Sequence, residues 1–283
     1  MVNAAPQPIS SRDNPLLQRL RKLAQDGAGY RKFGQAWIEG DHLCAALRAR
    51  GRPAAQAVVT REAWEADGLL RELAGWAAKV SIVPAALFKT VSTLESPASI
   101  GFVVDVPVDA TLDAGAASVV LDRVQDAGNV GSILRSAAAF GISQVLALKG
   151  TAALWSPKVL RAGMGAHFAL RLVEGLEDEA LQALRVPLVA TSSHGGDELP
   201  SAALPRPCAW VLGHEGQGVS AELLQRCALT VRIPQPGGEE SLNVAAAAAV
   251  CLYESARRIS PAGSLPPEGA QPALGRPGGG QAQ

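Results

Sequence analysis

Apolar residues along this chain follow two alternating rhythms. Short apolar runs bounded by Gly, Pro or polar clusters read as strands. Longer stretches with an apolar residue every three or four positions read as helices. A first helix opens at Asn14-Pro15, with Leu16, Leu17, Leu20 and Leu23 at helical spacing and Arg19, Arg21 and Lys22 on the other side. Strands are then predicted at 36–39, 57–60, 80–83 and 101–104, with helices at 41–50, 62–74 and 85–89. The polar, turn-rich stretch 107–115 closes this unit and marks a domain boundary.

Beyond the boundary the alternation resumes. Strands are predicted at 117–122, 144–148 and 187–190, and again around Trp210, Val211 and Leu212 and around Leu229, Val231 and Ile233. Helices are predicted at 130–140, 156–162 (capped by Ser156, with Pro157 in its first position), 176–184 and 241–258, with a short helix-like piece after Ser220. Strands that are apolar throughout and alternate with helices predict an α/β fold with a parallel sheet covered on both faces. From Pro261 onward proline and glycine dominate, which predicts a disordered tail over 261–283.

Composition adds limits. The 283 residues are 48% hydrophobic, yet no apolar run reaches the roughly 18 residues of a membrane span, and the first residues lack the apolar core of a secretory signal. Cys44, Cys208, Cys227 and Cys251 are widely separated, which speaks against a metal site or disulfide scaffold and for a reducing, cytoplasmic setting. Net charge is zero, but the first 52 residues carry nine basic side chains against four acidic ones. A basic face fit for RNA is one reading of that excess, and a solvated helix surface is the other.

Three clusters in the second unit carry candidate chemistry. The first runs from Asp122 to Arg135, leaving a strand, turning at Gly128 and entering a helix. Asn129 falls near the helix start, where capping is its ordinary role. Arg135 falls among Ile133, Leu134, Ala137 and Ala138, so it is expected to be buried and to require an anionic partner. The second cluster is Gly213-His214-Glu215-Gly216-Gln217-Gly218, directly after a strand. A carboxylate in that turn would repel a phosphate, so a ligand with a positive centre or hydroxyl groups fits better. The third is Ser241-Leu242-Asn243, with Ser241 the expected N-cap of an alanine-rich helix and Asn243 in its first turn.

Taken in order, N-x-x-x-x-x-R, G-x-E-x-x-G and S-L-N resemble the three motifs of the SpoU family of RNA ribose 2′-O-methyltransferases, within the SPOUT superfamily. The N-terminal SSRDNPLLQRL and AWIEGDHL resemble the L30e-like substrate-binding domain that many members carry. The resemblance implies a substrate domain over 1–108 and a methyltransferase domain over 115–260, threaded as a deep trefoil knot. It also implies a homodimer, S-adenosylmethionine as cofactor, RNA as substrate (ribosomal ahead of transfer RNA) and no metal. Cofactor contacts would come from Thr191, Gly213, Gly218, Ile233 and Leu242. Asn129, Arg135, Glu215, Ser241 and Asn243 match the functional polar residues.

The implied reaction is attack of a ribose 2′-hydroxyl on a sulfonium methyl. An arginine stays protonated at neutral pH, so Arg135 is expected to bind the target phosphate and polarise the hydroxyl, not to act as a simple base. Glu215 and Asn129 would hold it and the nucleotide. Two other readings stand beside this one. A non-catalytic RNA-binding protein on the same fold would need none of these polar residues. A nucleotide-dependent oxidoreductase would need G-x-G-x-x-G after its first strand, which the turn after Leu121 lacks.

Overall fold

The computed structural model describes residues 5–107, 109–193, 195–237 and 241–258. The predicted tail lies outside them. The first unit holds β1 (Gln7–Pro8), β2 (Gln35–Glu39), β3 (Gln56–Thr60), β4 (Val80–Val83) and β5 (Ile100–Asp105), ordered β1-β4-β3-β5-β2. β1, β4 and β3 run parallel, whereas β5 is antiparallel to both β3 and β2. Its helices are α1 (Pro15–Gln25), α2 (Gly29–Phe33), α3 (Asp41–Ala49), α4 (Arg61–Ala66), α5 (Gly68–Ala74) and α6 (Ala85–Phe88).

The second unit holds β6 (Ser118–Leu121), β7 (Gln144–Leu148), β8 (Arg171–Leu176), β9 (Leu188–Thr191), β10 (Asp197–Glu198), β11 (Ala209–Leu212) and β12 (Leu229–Arg232). They form one sheet in the order β10-β12-β9-β11-β6-β7-β8, with every pair parallel. Its helices are α7 (Ala127–Ala139), α8 (Pro157–Gly163), α9 (Ala221–Arg226) and α10 (Val244–Arg257).

The sheet is parallel because its strands are apolar on both faces. Val119 and Leu121 join one core while Val120 between them joins another. Trp210 and Leu212 likewise alternate with Ala209 and Val211, and Val145 and Ala147 with Leu146 and Leu148. On the first face lie α7 (Val130, Ile133, Leu134), α8 (Val159, Leu160) and α10 (Cys251, Leu252). The second face takes Leu181 and, from α9, Leu223. Helices α7 and α8 cross so closely at Gly131 that a Cβ there would sit 2.3 Å from that of Ala162. The first core does not stop at the sheet. It continues through Tyr30, Ile38, Leu43, Leu47, Val59 and Phe102, so both units share one interior. Glu174 at the end of β8 clasps the junction, accepting hydrogen bonds from the Tyr30 hydroxyl and from Arg31 Nε at 3.3 Å.

The structure departs from the sequence reading in three of the expected helices, and it adds β1, α2, β8 and β10. The expected helix 176–184 is the end of β8 followed by a 3-10 turn over Asp178–Ala183. Leu170 and Leu172 face one core and Val173 the other, the two-sided burial of a strand. The expected helix 62–74 is two helices, because Asp67 ends α4 and caps α5 by accepting from the N–H groups of Leu69 and Leu70. The expected helix 241–258 starts three residues later, at Val244.

Candidate active site

Strands β6 and β11 are neighbours although 87 residues lie between Leu121 and Ala209, and the chain order diverges on either side of them. From β6 the order runs to β7 and β8, and from β11 to β9 and β12. In open parallel sheets a crevice opens at the carboxyl ends of such a pair. The first cluster leaves the carboxyl end of β6, and the second leaves that of β11.

Two stitches hold these loops together. Asp122, 2% exposed, pairs with Arg123 at 2.8 Å and accepts the Ser220 N–H at 2.7 Å. Arg123 is itself left-handed (φ 60°) and reaches Gln217 Oε1 at 3.2 Å. A non-glycine residue in that region costs roughly 1 kcal/mol or more, and the surrounding bonds hold it there. The second stitch is Glu215. Its carboxylate accepts the N–H groups of Gln125 (3.2 Å) and Asp126 (3.0 Å) and the side-chain amide of Asn129 (3.1 Å).

The relay then continues. Asn129 Oδ1 accepts from Asn243 Nδ2 at 2.9 Å, and Asn243 Oδ1 caps α10 by accepting from the N–H groups of Ala245 and Ala246. One chain of hydrogen bonds therefore joins all three clusters. Asn243 takes the capping role expected of Ser241: its Oδ1 caps the helix while its Nδ2 donates to Asn129. Ser241 lies exposed two residues upstream. Asn129 is not a cap either. Asp126 caps α7, accepting from the Asn129 N–H at 2.8 Å, which leaves the Asn129 side chain free for the relay.

Arg135 corrects a second expectation. It lies on the exposed stripe of α7 with Ser132 and Ala139, not in the core. Helical spacing puts Ile133, Leu134 and Ala137 inward and turns Arg135 out. Among the described residues it has no hydrogen bond or ion pair, and neither Glu215 nor Asn129 holds it.

The expected cofactor positions gather at the carboxyl edge. Gly213 is buried, and a Cβ there would fall 2.1 Å from the backbone of Gly218 and Val219. The loop closes on itself through paired hydrogen bonds between His214 and Gly218, the latter left-handed at φ 68°. Thr191 ends β9, its hydroxyl donating to the Val211 carbonyl at 3.4 Å. Ile233 follows β12 half-buried, and Leu242 is exposed. Two buried polar atoms beside these loops, Ser220 Oγ and Gln235 Oε1, lack partners among the described residues. Orphaned polar atoms next to a glycine-lined turn suit a small polar ligand. Among the described residues no His, Cys, Asp or Glu are grouped as metal ligands.

Sequence reasoning missed Asp122, Arg123, Ser220 and Gln235. A legible signal existed for Asp122 alone: an acidic residue at the last position of a wholly apolar strand.

Acid tests these local environments. Burial by itself would raise the Glu215 carboxyl, but the Asn129 amide and the Asp126 and Gln125 N–H groups outweigh it and bring it from 4.5 to about 2. Burial lowers His167 from 6.5 to about 4, only partly offset by its hydrogen bond to the Leu154 carbonyl. Both folded values lie below the unfolded ones, so both contributions are complete above the unfolded value and are lost as pH falls. Urea midpoints are expected to drop by the equivalent of about 3 kcal/mol between pH 6.5 and 4 on account of His167. His167→Gln should flatten that interval, and an unchanged slope would refute the assignment. The Glu215 contribution fades lower, between pH 4.5 and 2.

The family model described as the SpoU rRNA methylase family matches residues 116–253. A Synechocystis protein described as an uncharacterized tRNA/rRNA methyltransferase is 34% identical over 273 residues, covering 91% of this chain and 96% of its own. The Bacillus subtilis 23S rRNA (guanosine(2553)-2'-O)-methyltransferase RlmP is 35% identical over 170 residues, covering 59% of this chain and 68% of its own. Among solved structures, the SpoU methyltransferase AviRb from Streptomyces viridochromogenes, in complex with AdoMet, superposes with a TM-score of 0.77 at 27% identity. That match covers 87% of this chain and 99% of the AviRb chain.

Proposed function

The chain belongs to the SpoU rRNA methylase family, and from that membership we propose that it is an S-adenosylmethionine-dependent enzyme methylating a ribose 2′-hydroxyl of RNA. The observation that carries the reading is the relay Glu215–Asn129–Asn243, which draws the three motif loops to one crevice.

The residues fit the cofactor. The tight turn that Gly213 permits and the orphaned Ser220 Oγ and Gln235 Oε1 offer it a fixed loop and polar atoms beside Thr191, Gly218, Ile233 and Leu242. Bound there, it supplies an electrophilic methyl group on a sulfonium. The protein's work is then to orient the attacking hydroxyl and disperse its charge. Arg135, exposed and unpaired among the described residues, binds the phosphate of the target nucleotide and polarises the hydroxyl. Glu215 and Asn129 act at one remove, by fixing the loops. Ser241 and Asn243 line the cofactor side.

The N-terminal unit, 1–108, serves as the RNA-binding domain, and its basic excess supports that role. Ribosomal RNA is the favoured substrate and the cytoplasm the favoured setting. A homodimer completes the site. Val250 and Tyr253, on one face of α10, and Leu242 before it expose apolar surface to water that a second copy would cover. Threading of the second unit as a trefoil knot belongs to the same reading.

The deciding experiment compares 2′-O-methyl maps of total RNA from a deletion strain and its parent. One missing methyl group, restored by the gene, is the expected result. Identical maps would refute the proposal.

A further inference from the structure

A cavity of about 450 Å³, lined by none of the three motifs, lies beside Pro107 and at the carboxyl ends of β7 and β8. Its volume suits a ligand of nucleotide size. The lining combines Arg31 from the first unit and Lys149 from the second with apolar Leu148, Val173 and Trp155.

The cavity shares a wall with the active site. The Thr151 hydroxyl donates to the Leu121 carbonyl at 2.9 Å, and the Ala152 N–H donates to the Val124 carbonyl at 2.9 Å. Gly150 is left-handed, and a Cβ on it would meet the Arg123 side chain at 3.1 Å. The 149–152 loop therefore lies directly on the loop that leaves β6. Neighbouring strands are about 4.8 Å apart, so the cavity follows the methyl-transfer crevice along the same sheet edge by one to two strand widths.

Its charge favours an anion. Glu174 is the acidic side chain in the lining, and its charge is already met by the Tyr30 hydroxyl, by Arg31 and by the Leu154 N–H at 2.9 Å. Lys149 pairs with Glu177, but both side chains are more than half exposed, at 65% and 59%, and such a pair contributes little in water. Lys149 can therefore turn to a phosphate.

We infer that this cavity receives a nucleotide of the RNA strand next to the methylated one. Lys149 grips its phosphate, helped by the terminal guanidinium nitrogens of Arg31, whose Nε is the atom that meets Glu174, and the apolar lining takes its sugar or unstacked base. Proteins read single-stranded RNA by such splayed-out bases, with cations tracking the backbone. The inference rests on the RNA-methylating reading above.

The test uses the full chain, radiolabelled adenosylmethionine and total RNA from the deletion strain. Lys149→Ala and the occluding Ala110→Trp should each raise KM for RNA about tenfold. They should leave kcat and cofactor affinity within about twofold, as expected for positions outside the crevice. Lys149→Ala should also reduce the salt dependence of RNA binding by about one counterion, and Lys149→Arg should restore it. Unchanged KM and salt slope in Lys149→Ala overturn the subsite, whether or not Ala110→Trp folds. A parent protein that transfers no methyl group refutes the methylase reading instead. Filter retention of the same RNA, compared between parent and Lys149→Ala, then still decides the subsite.

Discussion

Gly213→Ala is expected to abolish adenosylmethionine binding and to destabilise the fold by about 3 kcal/mol or more, the range of severe overpacking. The added methyl would lie 2.1 Å from the Gly218 carbonyl carbon and the Val219 nitrogen, which are backbone atoms that cannot rotate away. Relief requires opening the loop, and the paired His214–Gly218 hydrogen bonds would break with it. The same loop supplies the control. A methyl on Gly216 would meet only the His214 ring, at 3.8 Å, an ordinary contact. Gly216→Ala should therefore bind the cofactor as the parent does. Calorimetric titration and urea unfolding of both variants check the pair. Full binding by Gly213→Ala would show that this turn is not the cofactor cradle.

Arg135→Ala is the complementary case, with a large effect on catalysis and almost none on the fold. Its side chain is exposed and unpaired among the described residues, so its removal should leave the urea midpoint and cofactor affinity unchanged. Methyl transfer should fall by about a hundredfold to a thousandfold, as when a charge-stabilising donor is removed. Arg135→Lys should recover part of the loss, since it keeps the charge but not the planar fork. Near-parental turnover in Arg135→Ala would remove Arg135 from the reaction.

These two residues also show how far the sequence could be read. Gly213 sits in a glycine pattern directly after an apolar strand, so a close backbone approach was legible from spacing alone. For Arg135 the sequence predicts the right helix but the wrong side of it. Its apolar neighbours suggested burial, yet positions 128, 132, 135 and 139 form the one stripe of α7 that stays in water. The parallel sheet was legible because its strands are apolar on both faces. β8 is hidden because Glu174 and Gly175 interrupt its apolar run, and the role of Glu174 depends on Tyr30, Arg31 and Leu154, which are remote in sequence. The relay was hidden for the same reason. From sequence, Asn129 and Ser241 each read as a helix cap, and only the fold shows Asn243 capping α10 while Asn129 links it to Glu215. The clamp between Asp122 and Ser220 spans 98 positions, and no local pattern announces it.

The continuous interior that runs from Ile38 and Phe102 to Leu134 and Leu252 sets how the molecule can measure a substrate. Domains joined by polar contacts slide and swing, whereas a common hydrophobic interior locks their separation. A pair of jaws at fixed span behaves as a calliper. On the proposed role of the first unit as the RNA-binding domain, an RNA held there would present to the crevice whichever ribose lies one set distance from the grip. Selection of the nucleotide would then follow from the architecture of the RNA between anchor and target, with the identity of the base a secondary matter.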